Sequence, residues 1–319
     1  MDLEVRHLRA ICALADAGSV SRAATRLGIS QPALSTLLQR IERSFGGTLF
    51  LRSRTGVRPT PLGEQALRRA RLTLADLDGF LYEQPDGDRS ARTLRLGSAT
   101  MACLGTLLAH VTAALPGTAI TLRVDSSAVT LAQALAHDRL DAAVVLMMDD
   151  HDVPFAPELA QRALVPRVPI FVALAEGHRL ADRPEVDLAD LAEDAWISPP
   201  GSEDGSLASL RAACRRAGFD PRVRYDAPDG AGIQLIAAGH AVRLVEPGAP
   251  SHAGVVVRRL AGDPQRGRLV FGWRRSRISE RDSERVYLAV ARAYTEHAVA
   301  SPTYGPWWAA HPEVHPRIE

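Results

Sequence analysis

Apolar residues recur at helical spacing through the first 45 positions, and then the period changes. Leu8, Ile11, Cys12 and Ala15 fall on one face of a helix over residues 3–17, which Gly18 ends. Ser19 caps a second helix running to Gly28. Ser30 caps a third, with Pro32 in the first turn where proline is tolerated. At about 100° per residue, Leu34, Leu37, Leu38, Ile41 and Phe45 form its apolar stripe. Pro32, Ser35, Thr36, Gln39 and Arg43 gather on the opposite face. "LFLRSRTGVRPTPLG" then reads as two short extended pieces around Thr55-Gly56.

A fourth helical pattern covers residues 62–82. Leu67, Ala70, Leu74, Leu77 and Leu81 alternate spacings of three and four, which is a heptad seam and predicts a partner helix, hence dimerisation. Packing of the helix on its own domain is the plainer alternative. "EQPDGDRSART" breaks the pattern with Pro, Gly and charge and reads as a hinge. Beyond it, strands and helices alternate: "TLRLGSA", a helix over 102–114, "AITLRVD", the helix "VTLAQALAHD" and the strand "LDAAVVLM". That is repeated βαβ, which predicts parallel sheet with helices outside. A second set begins near Leu164 with "ALVPRVPIFVAL", continues through "AWIS", a helix over 206–217, "PRVRYDA", a helix near 231–238 and "AVRLVE", and ends with two strands and a helix over 279–297.

The expected fold class is therefore α/β with an all-α-dominated N-terminal head. We place the head at 1–61, the linker helix and hinge at 62–91, and two α/β lobes at 92–300. Lobe I takes about 92–162 and 266–300, and lobe II about 163–265. The tail, 301–319, is Pro- and aromatic-rich and is expected to be irregular.

Charge changes the picture. All 38 basic residues are arginine, and the formal net charge is only +1. Yet residues 1–71 hold 12 arginines against five acids, while the rest of the chain is acidic. A basic module on an acidic body is the footprint of a polyanion binder. A helix ended by Gly, a very short turn and a capped helix form a helix-turn-helix, whose second helix can enter the major groove of double-stranded DNA. Gln31 and Gln39 suit adenine edges, and Ser30 and Ser35 suit bases or phosphates. Arg52, Arg54 and Arg58 cluster in the following hairpin, as a wing on the DNA backbone would require. An ordinary three-helix bundle with a polar surface is the bland alternative.

No apolar run approaches the ~20 residues that span a bilayer, and "MDLEVRHLRA" lacks the order of a signal peptide, so we expect no membrane partner and a cytoplasmic protein. Three widely spaced cysteines, Cys12, Cys103 and Cys214, make neither a disulfide scaffold nor a metal cluster.

These residues resemble the LysR-type transcriptional regulators over roughly residues 3–297. The likeness is most specific in Ala23-Ala24, the Ser-Gln-Pro-Ala-Leu-Ser run at 30–35, Leu49-Phe50 with Arg52, and Thr60-Pro61-Leu62-Gly63. "LRLGS" at 94–98, "RLDAAVV" at 139–145, "GHRLA" at 177–181 and "IAAGHAVRLV" at 236–245 echo the family in order. The resemblance implies a bacterial regulator with a winged helix-turn-helix and a periplasmic-binding-protein-like effector domain. It implies a homodimer, usually assembled as a dimer of dimers, on promoter DNA, with contact to RNA polymerase in an activator. It places Gln31, Pro32, Ser35, Thr36 and Gln39 toward DNA, with Arg52 and Arg54 in the wing. Thr36 stands where the family commonly has a basic residue.

The resemblance also implies a small-molecule effector of unidentified chemistry, with no cofactor, between the lobes. Its contacts would come from Ser98, Thr100 and Met101, from Ser126, Ser127 and Ala128, and across the hinge from Ser198, Pro199 and Ser202. Hydroxyls and N–H groups at helix N-termini suit an anion, and these loops carry no arginine, so dipoles alone would hold one. Each serine is as readily a plain helix cap. Glu246 departs from the family's apolar strand end and would favour a cationic or polyhydroxyl effector instead. For catalysis, the ten histidines form no metalloprotease motif, and neither a nucleophile elbow nor a phosphate loop is present. We expect no enzyme, no catalytic residue and no metal. His7, His110 and His137 are expected on helix surfaces. A redox switch through Cys103 and Cys214 is the minor alternative.

Overall fold

The computed structural model describes residues 4–53, 56–82, 92–149, 151–199, 205–249 and 252–318. The chain divides into two compact units, Met1–Asp88 and Arg89–Glu319.

In the first unit, α1 (Val5–Ala17), α2 (Val20–Leu27) and α3 (Gln31–Phe45) precede a hairpin of β1 (Phe50–Ser53) and β2 (Gly56–Pro59), then α4 (Pro61–Tyr82). Ser30 Oγ accepts the Ala33 N–H at 3.3 Å and starts α3. Gly28 ends α2 at φ 68°, a left-handed turn that costs glycine little and lets Ser30 cap α3 two residues later. Leu8, Ile11, Leu14, Ala23, Leu34, Leu38 and Ile41 bury the three helices against one another and against Leu49 and Phe50 of the hairpin. Glu42 reaches out of α3 and its Oε1 accepts the Leu49 N–H at 2.8 Å, tying the hairpin to the helix. Gly63 is obligatory at the start of α4, since a Cβ there would lie 1.9 Å from the Leu49 carbonyl oxygen.

Two expectations fail in this unit. His7 is not a surface residue: it is buried, and its Nδ1 accepts the Glu4 N–H at 2.9 Å, closing the first turn of α1. The heptad seam also does not face outward over its first half. Leu67 and Ala70 are buried in the core of this same unit, and Leu74 packs against it, while Glu64, Gln65, Arg69 and Thr73 take the exposed face. Heptad spacing marks a face that must be buried but not what buries it. The side chains of Leu77 and Leu81 lie outside the described ones.

Among the described residues the second unit holds a five-stranded sheet, a four-stranded sheet and a two-stranded pair. The first has the order β4-β3-β5-β13-β6, built from β3 (Arg92–Ser98), β4 (Thr118–Val124), β5 (Ala142–Met148), β6 (Leu159–Pro169) and β13 (Arg266–Arg274). α5 (Leu104–Ala114), α6 (Ala128–Ala136) and α9 (Glu280–Ala300) pack on it. β3, β4 and β5 are parallel, as the βαβ pattern predicts, but β13 runs antiparallel between β5 and β6. The parallel sheet of the sequence reading is therefore a mixed one, because side-chain period carries no information on strand direction.

The second sheet is β11-β7-β12-β8, made of β7 (Phe171–Ala175), β8 (Glu185–Val186), β11 (Arg243–Val245) and β12 (Val255–Leu260). β9 (Ala195–Ile197) pairs with β10 (Arg222–Tyr225) and bridges to Val242 through Trp196. α7 (Ser206–Arg216) and α8 (Asp229–Ala237) complete this lobe. "ALVPRVPIFVAL" is not one strand of lobe II. β6 stays in the first sheet to Pro169 and the chain crosses at Ile170, so lobe II begins there and not at 163. Pro166 is accommodated because β6 is an edge strand with an irregular register beside it.

The tail is not irregular either. α10 (Gly305–Ala310) and a 3-10 turn at Pro312–Val314 dock on lobe I, burying Tyr304, Trp307, Trp308 and Val314 in its core. His311 stacks on Trp307 and His315 on Trp308, with ring centroids 4.0 and 4.3 Å apart. Trp307 Nε1 donates to Asp263 Oδ2 at 2.9 Å. The prolines that suggested irregular structure start these short helices, and the aromatics are what the tail buries.

Candidate functional site

On the first unit the candidate is an exposed face. Ser30, Gln31, Pro32, Thr36, Gln39 and Arg43 are exposed, and Ser35 is half-buried. Arg43 Nε donates to the Gln39 carbonyl at 3.2 Å, aligning its guanidinium along the helix. The sequence reading missed Arg40, exposed on the same face by the i, i+4 relation to Thr36. Arg40 supplies the positive charge that Thr36 lacks, one turn further on. In the hairpin Arg58 is exposed opposite Leu51. Arg54 and the Arg52 side chain lie outside the described residues.

In the second unit the two lobes line a partly open cavity of about 350 Å³. Of the residues expected to meet an effector, Thr100, Met101, Ser126 and Pro199 line it. Ser98, Ser127, Ala128 and Ser198 do not. Ser98 is fully buried and donates to the Ala99 carbonyl at 2.9 Å. Ser127 Oγ accepts the Thr130 N–H at 3.2 Å and is the plain cap of α6. Ala128 is buried in that helix, and the Ser198 backbone N–H bonds Tyr225. Ser202 lies outside the described residues.

The charged lining comes from elsewhere. Arg243 of β11 faces the cavity with its side chain 5% exposed, correcting the expectation of a site without arginine. Its Nη2 stands 2.8 Å from Asp229 Oδ1 at the start of α8, but this N–H group is not aligned to hydrogen-bond the carboxylate. Gln265 also lines the cavity, buried, with its Oε1 lacking a hydrogen-bond partner. Glu246, three residues after Arg243, sends its carboxylate to the lobe I side, where Oε1 accepts the Ala102 N–H at 2.8 Å. The Glu246 surface left exposed belongs to the cavity, so burial pushes its carboxyl up to about 7 despite the opposing Ala102 N–H. Apart from the anomaly of Glu246, no periodicity marked these residues: Arg243 sits in a short buried strand and Asp229 in a loop-to-helix turn.

The same physics holds Cys103 and Cys214 in the thiol form. Burial, then the Glu246 charge, pushes Cys103 up to about 12; burial, then Asp220, does the same to Cys214. All three cysteines are buried and outside any disulfide. No cluster of three metal-ligating side chains occurs among the described residues.

A capped helix with an exposed polar face beside a basic hairpin, joined to two lobes around a charged-and-apolar cavity, defines a DNA-binding regulator with an effector-binding domain. Comparison with known proteins names the family. Residues 5–64 match the model for the bacterial regulatory helix-turn-helix protein, lysR family, and residues 87–291 match the LysR substrate binding domain. The chain belongs to the LysR family of transcriptional regulators. It is 41% identical over 308 residues to the small neutral protease regulatory protein of Streptomyces lividans, covering 96% of this chain and 87% of that one. It is 30% identical over 250 residues to the regulator BudR of Raoultella terrigena, covering 76% and 84%. Among solved structures, a cysteine mutant of OxyR from Corynebacterium glutamicum matches 96% of both chains at 25% identity with a TM-score of 0.55. A full-length BenM variant shares the fold at 22% identity and a TM-score of 0.53. No helix among the described residues is long and apolar enough to cross a membrane.

Proposed function

We propose that the protein reads a promoter element as a cytoplasmic homo-oligomer, a dimer of dimers, and that occupancy of the cavity changes its hold on DNA or its contact with RNA polymerase. The observation that carries this reading is the exposed row Gln31, Thr36, Gln39, Arg40 and Arg43 beside Arg58, in one chain with an interlobe cavity. In it Gln31 and Gln39 read base edges, while Arg43 and the wing arginines hold phosphates. Pairing of subunits falls to α4, a 22-residue helix at the end of the head whose first half packs on the head through Leu67, Ala70 and Leu74. The cavity is a sensor rather than a catalytic site, in keeping with the Streptomyces and Raoultella relatives, which are named as regulators. Because its Streptomyces relatives are named for a small neutral protease, a neutral-protease promoter and the DNA upstream of its own gene are the first targets to test.

Footprinting on that DNA in a salt series, against scrambled DNA, tests the reading. Protection of two half-sites about one or more helical turns apart, lost steeply with salt, is the expected result. Equal binding to scrambled DNA on both promoters would refute specific recognition there.

A further inference from the structure

The charges lining the cavity are unevenly matched. Arg243 has Asp229 at 2.8 Å, so that end is neutral as a pair. Glu246 has one hydrogen-bond donor, the Ala102 N–H. The acids that feel its charge are Cys103 at the start of α5, Tyr294 of α9 and Tyr304 of the tail, all raised by burial; the nearby bases are His297, His252 and Arg243. His297 of α9 spends its Nε2 on the Gly248 carbonyl at 2.9 Å, and His252 lines the same cavity. The Glu246 carboxylate therefore has no cation bonded to it among the described residues, and it faces a space walled by Leu146, Ile170, Ile233 and Val257.

Its position is built, not incidental. The Ala249 N–H donates to the Glu246 carbonyl at 3.1 Å, and a Cβ at Gly248 would stand 2.4 Å from His297 Nε2. The turn carrying the carboxylate is thus clamped between β11 and lobe I. A buried carboxylate in apolar surroundings needs a proton or a counter-charge. We propose that the effector is an organic cation, a protonated amine on an apolar body, whose ammonium pairs with Glu246 while its body fills the apolar part of the cavity. This rests on the cavity being the effector site. Since Glu246 belongs to the strand end of lobe II and its donor Ala102 to lobe I, such a cation sits where the lobes meet.

Three isosteric probes test the charge: 4-phenylbutylammonium, 4-phenylbutanol and 4-phenylbutanoate, titrated calorimetrically into the full chain at about pH 8. The ammonium is expected to bind at least about tenfold tighter than the alcohol, and the carboxylate weakest. In wild type the ammonium should weaken by about tenfold per unit as pH falls below that of Glu246 protonation, a readout that needs no variant. Glu246→Gln should bind the ammonium no tighter than the alcohol. Alcohol or carboxylate binding as tightly as ammonium, or an ammonium preference surviving in Glu246→Gln, overturns the proposal alone. If none of the three binds to protein that still protects its operator, the cavity is not the effector site, and both readings fall.

Discussion

The exposed face of α3 and the wall of the interlobe cavity solve opposite problems with polar groups. On α3 the side chains of Gln31, Thr36 and Gln39 stand in water, so each can be chosen for what it reads with little consequence for folding. In the cavity Arg243 and Glu246 are largely shielded from bulk water, where an unmatched charge is costly. A polar group retained there must be matched by the protein, as Arg243 is by Asp229, or by something that arrives. Specificity in the head is thus nearly free of stability, whereas specificity in the cavity is coupled to it.

The widest separation should appear between neighbours in α3. Leu38→Ala, in the core of the head, is expected to cost about 2–5 kcal/mol of stability, and Gln39→Ala within about 0.5 kcal/mol. All four tryptophans lie at or beyond residue 196, so far-UV circular dichroism of the full chain, not tryptophan fluorescence, is the readout. A similar loss for both would mean the Gln39 face is packed, not free.

Glu246→Gln probes the opposite case. Glu246 titrates near 4.5 when unfolded and near 7 when folded, so its contribution is fully present below about pH 4.5 and is lost as pH rises through about 7. The Gln variant lacks that titration. Its advantage over wild type should therefore grow between about pH 4.5 and 8, by on the order of 3 kcal/mol. Here tryptophan fluorescence during urea unfolding is the measurement, and a pH-independent difference would place Glu246 in contact with bulk water.

Smaller effects belong to DNA. Gln39→Ala should lose about 1–3 kcal/mol on the operator and nothing on scrambled sequence; equal losses on both would remove its base-reading role. Arg58→Ala should weaken both alike and lower the salt slope by about 1, which a sequence-selective loss would contradict.

Much of the head is legible in the sequence because its signals are local: Ser30, Gly28 and the stripe through Leu34, Leu38 and Ile41 each act within a turn or two. The same locality explains its failures. Heptad spacing at Leu67, Ala70 and Leu74 reports a face to be covered, and α1 rather than a second subunit covers its first part. In the second unit the loops after β3 and β4 line the cavity with Thr100, Met101 and Ser126, yet its charges come from β11 and α8, brought there only by the fold. Glu246 was the one exception, visible as a misplaced acid. The tail was misread because composition alone does not reveal that Trp307 and Trp308 have a surface to bury against.

One feature of the first sheet bears on how the chain is made. β5 pairs with β13 on its outer side, yet roughly 120 residues separate the end of one from the start of the other. At ribosomal speeds of ~5–20 residues per second, the nascent chain carries β5 with that edge unpaired for on the order of ten seconds. "AAVVLMM", nearly all of it destined for burial, is a sticky edge for that interval. The head, complete by residue 82, can fold long before. Chaperone demand during synthesis should therefore fall on the regulator's sensor and not on its DNA reader.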